Sequence, residues 1–306
     1  MSGLRCAVVG PGNIGTDLIA KLLRTPRLEP AALIGIDPAS EGLRWAAERG
    51  VTAVDTGVEW LRAHRDQVDL VLEATSAGAH RANAPLYADL GLQCIDLTPA
   101  KLGPGCVPPV NLDVALDSPD INLISCGGQA TIPIVAAVRA VTPVPYAEIV
   151  ATIASASAGP GTRASIDEFT RTTAGGVADI GGAERSKAVI VLNPADPPVL
   201  MRNTVFCAIA ADVDLAAVLH SIQEMRDRVA EYVPGYRLTA RPSLGEQDLR
   251  FPTWTSDVPL RRLAVSIEVE GAGDTLPPYA GNLDIITCAA VRLAQEVAAH
   301  RGVLTA

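Results

Sequence analysis

The stretch LRCAVVGPGNIG, residues 4–15, decides the fold of this chain. Its first half, Leu4–Val9, predicts a short buried strand, and the residues after the glycine turn carry apolar side chains at helical spacing. The glycines follow the pattern G-x-G-x-x-G. In this pattern the first glycine permits a tight turn, the second lets a pyrophosphate approach the backbone, and the third lets the helix pack on the strand. The stretch therefore predicts a dinucleotide site, with an ordinary strand-to-helix turn as the alternative.

A second apolar strand is predicted over residues 31–36, and it ends at Asp37. Asp37 lies where an acid is expected to bind the ribose hydroxyls of the cofactor. A carboxylate there repels a 2′-phosphate, so the pattern favours NAD over NADP. The cofactor-binding residues predicted from this part of the chain are Gly10, Pro11, Gly12, Asn13, Ile14, Gly15 and Asp37.

Strand and helix patterns alternate through the first part of the chain, which predicts an α/β fold with a Rossmann-type, doubly wound parallel sheet. In the second part, residues 145–155 and 263–270 alternate apolar and polar, as antiparallel strands with one exposed face do. Residues 212–232 predict a long amphipathic helix and residues 241–258 a loop. We predict an NAD-binding domain over 1–128, an α+β catalytic and oligomerisation domain over 129–281, and a last helix within 282–306 that packs back on the first domain.

Composition narrows the class of protein. The chain has 306 residues, of which 48% are hydrophobic and 19% charged, so it has enough apolar material for a packed core. Its net charge of −9 argues against a nucleic-acid partner. No apolar run approaches the length of a membrane span, and the N-terminal run is too brief for a signal peptide. We therefore expect a cytoplasmic protein, and the six scattered cysteines predict neither a metal site nor disulfides.

Cys126 is the candidate nucleophile, in the segment SCGGQATIP, residues 125–133. A strand is predicted to end at Ser125 and a helix to begin near Thr131. A thiol facing a helix N-terminus gains thiolate character, and two glycines leave room for a substrate. A buried structural cysteine is the alternative, and Cys106 is the competing nucleophile.

Two further segments are candidates for cofactor contact. The first is a loop with glycines, hydroxyls and an arginine, a composition suited to phosphate or amide groups. It consists of Ser157, Ala158, Gly159, Pro160, Gly161, Thr162, Arg163, Ala164 and Ser165. The second is Asn282, which either caps the last helix or hydrogen-bonds a cofactor amide.

The chain resembles the acylating acetaldehyde dehydrogenases of bacterial aromatic and sterol meta-cleavage pathways. The resemblance runs nearly end to end. It rests on the following segments: GPGNIGTDL from residue 10, DLTPA at 96–100, SCGGQATIP at 125–133, SAGPGTRASIDEFT at 157–170, NPADPPVLMR at 193–202 and YAGNLDI at 279–285. It implies a glyceraldehyde-phosphate-dehydrogenase-like architecture and oxidation of acetaldehyde, with NAD and coenzyme A, to acetyl-CoA through a Cys126 thioester. It also implies a homodimer in complex with 4-hydroxy-2-oxovalerate aldolase.

Asn203 departs from the family pattern. Such enzymes read MRDTV where this chain reads MRNTV at 201–205, and their aspartate is thought to act as a base. An amide cannot take up a proton. Asn203 is therefore a candidate catalytic residue whose role differs from a base, with Asp196 or Asp167 as a displaced acid, or it is a structural residue.

Two other functions are compatible with these patterns. A phosphate-dependent semialdehyde dehydrogenase would share the fold and the cysteine, although no histidine partner for Cys126 stands out. An NAD-binding scaffold subunit, weakened at Asn203, is the alternative from another class.

Overall fold

The structure is a computed structural model that describes residues 3–159, 163, 166–249 and 258–303. The chain divides into two units. The first comprises Met1–Ser125, Gly273–Pro277 and Ile286–Ala306, and the second comprises Cys126–Ala272 and Pro278–Ile285. The chain passes between them at the Ser125–Cys126 bond, three residues before the predicted boundary at 128, because Cys126 already begins a helix of the second unit.

The first unit contains a six-stranded parallel sheet in the order β3-β2-β1-β4-β5-β6. The strands are β1 Leu4–Val9, β2 Leu28–Ile34, β3 Thr52–Val54, β4 Leu70–Glu73, β5 Gln93–Asp96 and β6 Asp120–Asn122. The helices are α1 Asn13–Arg24, α2 Glu41–Ala47, α3 Trp60–Ala63, α4 Ala77–Asp89 and α5 Pro108–Ala115. The strands are apolar almost without interruption, as expected of parallel strands covered on both faces.

The second unit is built on a mixed sheet in the order β10-β12-β9-β7-β8, with β11 paired to β12. Its strands are β7 Tyr146–Ala154, β8 Ser186–Asn193, β9 Met201–Ala210, β10 Tyr236–Leu238, β11 Ser243–Leu249 and β12 Leu260–Val269. Its helices are α6 Cys126–Arg139, α7 Ile166–Asp179 and α8 Leu215–Ala230, followed by α9 Gly281–His300. The first five residues of α9 belong to this unit and the rest to the first.

Along the strands of the second sheet, side chains alternate between a buried face and a more exposed face. In β9 the side chains of Met201, Asn203, Val205 and Cys207 are buried, whereas Arg202 between them is exposed. Residues of β7 alternate in the same way, with Ala151 on the buried face. Helix α6 packs on β7, β9 and β12. The buried face of the sheet thus lies under α6.

The architecture confirms the predicted fold class, and five local predictions are wrong. Strand β6 ends at Asn122 and not at Ser125. Helix α6 begins at Cys126 and not near Thr131. Strand β2 ends at Ile34, so Asp37 lies three residues beyond it. Residues 243–249, predicted as a loop, form β11, since backbone pairing with β12 holds a polar, largely exposed edge strand. Helix α9 begins before Asn282, because the Ala280 carbonyl accepts from the Asp284 amide.

Candidate active site

The glycine turn after β1 has the geometry that a dinucleotide site requires. A Cβ on Gly15 would lie 1.9 Å from the Gly10 carbonyl oxygen, so only glycine lets α1 start this close to the turn. Gly10 itself has a φ of +105° and packs on the Ala74 carbonyl. By contrast, a Cβ on Gly12 would meet nothing within 4 Å. The turn therefore leaves open space at Gly12, before the unpaired N–H groups of α1, where a pyrophosphate fits.

Two glycines that the sequence did not single out hold Pro11 in place. A Cβ on Gly35 would lie 2.6 Å from Pro11 Cγ, and one on Gly42 would lie 2.1 Å from the Pro11 carbonyl oxygen. Asp37 follows Gly35 in an exposed turn, where its Oδ1 accepts from the Ala39 amide at 2.9 Å. Close packing thus fixes the glycine turn at Pro11 against Gly35, which lies two residues before Asp37.

Cys126 is the first residue of α6 and is half-buried, whereas the other five cysteines are buried. Burial raises the pKa of its thiol to about 11, although the backbone amides of Gly127 and Cys126 act in the opposite direction. In the chain alone, loss of hydration thus outweighs the effect of the helix N-terminus on the thiol pKa. The competitor Cys106 is fully buried, and burial raises its pKa to about 12.

Gly127, the residue after Cys126, has no room for a side chain. A Cβ on Gly127 would lie 2.8 Å from Phe169 Cζ and 3.3 Å from Ala151 Cβ. Ala151 is the cross-strand partner of Asn203. The structure therefore brings Asn203 and the first turn of α6 together on the buried face of the sheet.

Asn203 and Asn282 both carry buried amide groups. Asn203 is 1% exposed, and among the described residues neither its Oδ1 nor its Nδ2 has a hydrogen-bond partner. Asn282 is also buried, and its Oδ1 has no partner within the same part of the chain. It lies inside the first turn of α9, where the neighbouring Gly281 packs against the Val269 carbonyl. It is therefore not the helix cap, and its Oδ1 can accept a hydrogen bond from a ligand.

The loop after β7 is held by Arg163. Its Nη2 donates to the Ser155 carbonyl at 3.0 Å, and its Nε donates to the Ala158 carbonyl at 3.1 Å. Ser157 is turned inward and donates to the Ala154 carbonyl, while Gly159 faces open space. The other predicted members of this loop lie outside the described residues: Pro160, Gly161, Thr162, Ala164 and Ser165. Both candidate acids are exposed: Asp196 lies between β8 and β9, and Asp167 lies in the first turn of α7.

The first unit contains a cluster of buried charged side chains around His80 that the sequence did not predict. His80 of α4 is fully buried, with Nε2 2.9 Å from Asp120 and Nδ1 3.8 Å from Glu73. Burial acts to lower the pKa of His80, but these carboxylates prevail and raise it to about 10. Its ring nitrogens, the Cys94 thiol and Asp120 also lie within 4.8 Å of one another. The ion pair with Asp120 accounts for that proximity without a metal.

Glu73 connects this cluster to the glycine turn. Its carboxylate accepts from the Thr75 amide at 3.2 Å and from the Tyr87 hydroxyl at 2.7 Å. Thr75 and Ala74 in turn pack against Gly10. The charged cluster therefore supports the loop that borders the dinucleotide turn.

The parallel sheet with its glycine turn and the second unit with its mixed sheet define a two-domain dehydrogenase fold. A solved structure of aspartate semialdehyde dehydrogenase II from Vibrio cholerae shares it, with a TM-score of 0.61, 14% identity, and coverage of 96% of this chain and 98% of that chain. At this identity the match shows the fold alone. No described helix is both long and apolar enough to cross a membrane.

Sequence comparison identifies the family. Residues 126–277 match the family model of the prokaryotic acetaldehyde dehydrogenase dimerisation domain. The chain is 55% identical to an acetaldehyde dehydrogenase of Mycolicibacterium gilvum, covering 97% of this chain and 95% of the relative. It is also 55% identical to a propanal dehydrogenase (CoA-propanoylating) of Mycobacterium tuberculosis, covering 97% and 96%. The chain belongs to the family of CoA-acylating prokaryotic acetaldehyde dehydrogenases, which confirms the resemblance read from its motifs.

The glycine turn gives a matched pair of variants. Gly12→Ala should change the free energy of unfolding by no more than about 1 kcal/mol, yet weaken NAD binding about tenfold or more, because its Cβ fills the open space of the turn. Gly15→Ala should lower the free energy of unfolding by about 3 kcal/mol or more, because the backbone at Gly10 must move to make room for the added Cβ. Denaturant unfolding and NAD titration measure both. Equal NAD affinity in wild type and Gly12→Ala would place the pyrophosphate elsewhere.

The charge cluster predicts a pH dependence of stability. The pKa of His80 is raised from 6.5 to about 10, so its stabilisation is complete below about pH 6.5 and is lost as the pH rises through about 10. His80→Gln should therefore be least stable relative to wild type near pH 6, with the gap closing at alkaline pH. Thermal unfolding from pH 6 to 10.5 measures this, with exposed His220→Gln as control. A gap independent of pH would contradict a charged His80.

Proposed function

We propose that the protein oxidises acetaldehyde, or another short aliphatic aldehyde, with NAD and coenzyme A to the acyl-CoA and NADH. The observation that carries this proposal is Cys126 at the start of α6, partly exposed, next to a glycine that the sheet and Phe169 enclose. Relatives that share 55% identity over nearly their whole length are named for acetaldehyde and for propanal oxidation, the latter with coenzyme A as acceptor. Both names agree with one short aldehyde pocket.

The chain's own residues perform the carbon–sulfur chemistry. Cys126 Sγ, once deprotonated, attacks the aldehyde carbon and forms a C–S bond while the C=O electron pair moves onto oxygen. NAD, when bound, supplies the acceptor for the hydride that leaves this carbon. The sulfur of coenzyme A then attacks the Cys126 thioester and forms a new C–S bond, while the bond from the carbon to Cys126 Sγ breaks. The proton of the coenzyme A thiol passes to the departing Cys126 thiolate or to solvent. Because the pKa of Cys126 is about 11, the thiol must lose its proton within the assembled site.

The cofactor is held by chain segments that fit it. The Gly10–Gly15 turn and the N–H groups of α1 suit the pyrophosphate, and exposed Asp37 suits the ribose hydroxyls. We assign the Ser157–Ser165 loop and Asn282 to further contacts with the cofactor. The carboxylate at 37 makes NAD the preferred form, which equal rates with NAD and NADP would contradict.

The second unit carries the dimer contact. The matched family model describes dimerisation and covers residues 126–277, which supports a homodimer. We propose that its interface is the open face of the sheet, where Val150, Thr204 and Phe206 are only half-buried. We place this dimer in the cytoplasm, within a hetero-oligomer with 4-hydroxy-2-oxovalerate aldolase, whose aldehyde product would pass directly to Cys126.

The two other candidate functions are not favoured. A phosphate-dependent semialdehyde dehydrogenase finds support only in a structure that shares the fold at 14% identity. An inactive scaffold would have no reason to retain a partly exposed Cys126 beside an enclosed glycine.

Cys126→Ser should lower acyl-CoA formation by about 10³-fold or more, because the serine hydroxyl is a far weaker nucleophile, while NAD binding stays unchanged. The assay mixes protein, NADH and acetyl-CoA, or the forward substrates, and follows absorbance. The matched control is Cys106→Ser, which removes a buried thiol outside the site and should keep activity in whatever fraction folds. Near-normal activity of the Cys126 variant would refute the assignment.

The aldolase prediction is tested by co-expression. The two proteins should elute as one complex in size-exclusion chromatography at micromolar concentration. Separate elution of two folded, active proteins would contradict a stable complex, and would leave the aldehyde oxidation itself untouched.

A further inference from the structure

Asn203 lies on the buried face of the second sheet, and none of the residues that the structure describes forms a hydrogen bond with its side chain. It lies in β9 with its side chain on the buried face, between Ala151 of β7 and Ile267 of β12. Residues directly opposite each other in antiparallel strands have Cβ atoms about 4.5–5.5 Å apart. A Cβ on Gly127, the residue after Cys126, would lie 3.3 Å from Ala151 Cβ. Asn203 and Gly127 are therefore both neighbours of Ala151, on the face of the sheet that α6 covers.

The amide differs from those that hold local structure in this chain. Asn122 donates to Asp96 and the Thr98 carbonyl and accepts from the Ile124 amide. Asn111 is likewise bonded to backbone at both ends. Neither polar atom of Asn203 has a partner among the described residues, although the side chain is 1% exposed. A buried amide without a partner destabilises the fold, which indicates that a ligand supplies the partner.

We propose that Asn203 Nδ2 donates a hydrogen bond to the acyl oxygen of the intermediate on Cys126. This inference rests on the proposed function. As the Sγ–C bond forms, the C=O electron pair moves onto the oxygen, and a neutral donor fixed in a dry site stabilises that charge. The charge returns to the C=O bond when the hydride leaves, and develops again when coenzyme A attacks the thioester. Asn203 gains and loses no proton in either step.

A carboxylate at this position would act in the opposite sense. An ionised aspartate offers only acceptors and would repel the oxyanion that the amide stabilises. Asn203 thus suits a site that binds the oxygen directly and leaves proton removal to another group. The ligand class is a carbonyl oxygen that gains negative charge.

The first test replaces the amide with an apolar group of similar volume. Asn203→Leu should lower kcat by about 10²–10³-fold with a smaller change in KM, as loss of an oxyanion donor does. Its melting temperature should be equal to or above that of wild type, because an unpaired buried amide is removed. The control is Cys207→Ala on the same face of β9, which should keep kcat. A lower melting temperature with unchanged kcat per folded molecule would overturn the proposal in favour of a structural role.

The second test separates donor from base. Asn203→Asp should be slower than wild type at pH 7–8 and regain rate on acidification, as the carboxyl is protonated and can donate. A variant that is faster near pH 7 and less dependent on pH would show that a base belongs at 203 and would overturn the proposal.

A third measurement shows whether the Asn203 amide stabilises the acyl oxygen or the Cys126 thiolate. The pH dependence of Cys126 alkylation by iodoacetamide should be the same in wild type and Asn203→Leu, since the donor serves the acyl oxygen. A shift of that profile to higher pH would mean that Asn203 stabilises the thiolate, and would overturn the proposal. If wild type itself forms no acyl-CoA, the proposed function fails. If wild type is active and Asn203→Leu keeps full kcat, only the assignment of Asn203 fails.

Discussion

The start of α6 depends on the absence of a side chain at position 127. The Cα of Gly127 lies where a Cβ would overlap the Phe169 ring and crowd Ala151. This close approach lowers the first turn of the helix onto the sheet and sets Cys126 at the edge of the buried face. The same contact brings the turn beside Asn203, the cross-strand neighbour of Ala151. One backbone approach thus determines where the thiol, the helix amides and the carboxamide meet.

In the first unit, too, several glycines allow a close approach that a side chain would prevent. Gly15 lets α1 start against Gly10, while Gly35 and Gly42 enclose Pro11. Gly15 and Gly42 approach backbone carbonyl groups, and Gly35 approaches the ring of Pro11. None of these groups can turn aside as a flexible side chain can, so the turn is held in one shape. Behind it, the fully buried His80 imidazolium lies between the buried carboxylate of Glu73 and the partly buried carboxylate of Asp120. Such a buried ion pair adds little net stability, but removing one partner would leave a charge uncompensated.

The sequence predicts the local features of this molecule better than the distant ones. The apolar strand at 4–9 and the glycine spacing follow from local pattern, and so does the candidate nucleophile in SCGGQATIP. The sequence predicts the start of α6 five residues too late, because glycine has a low helix propensity. In the structure, tertiary packing favours the glycines in the first turn of this helix. The partners of His80 come from β4 and β6, and no local pattern in the chain joins them. The enclosure of Pro11 by Gly35 and Gly42 is hidden for the same reason.

Ligand binding accounts for two features of the proposed site, the Cys126 thiol and the Asn203 amide. Partial burial of Cys126 raises the pKa of its thiol to about 11, and the buried Asn203 amide has no partner among the residues that the structure describes. The buried amide is unfavourable for the chain alone, and the neutral thiol is a weak nucleophile. A nearby positive charge would favour the thiolate, and an oxygen that gains negative charge would satisfy the amide. Because the second compensation arises only as the reaction proceeds, it stabilises the transition state more than the bound ground state, which is the condition for catalysis.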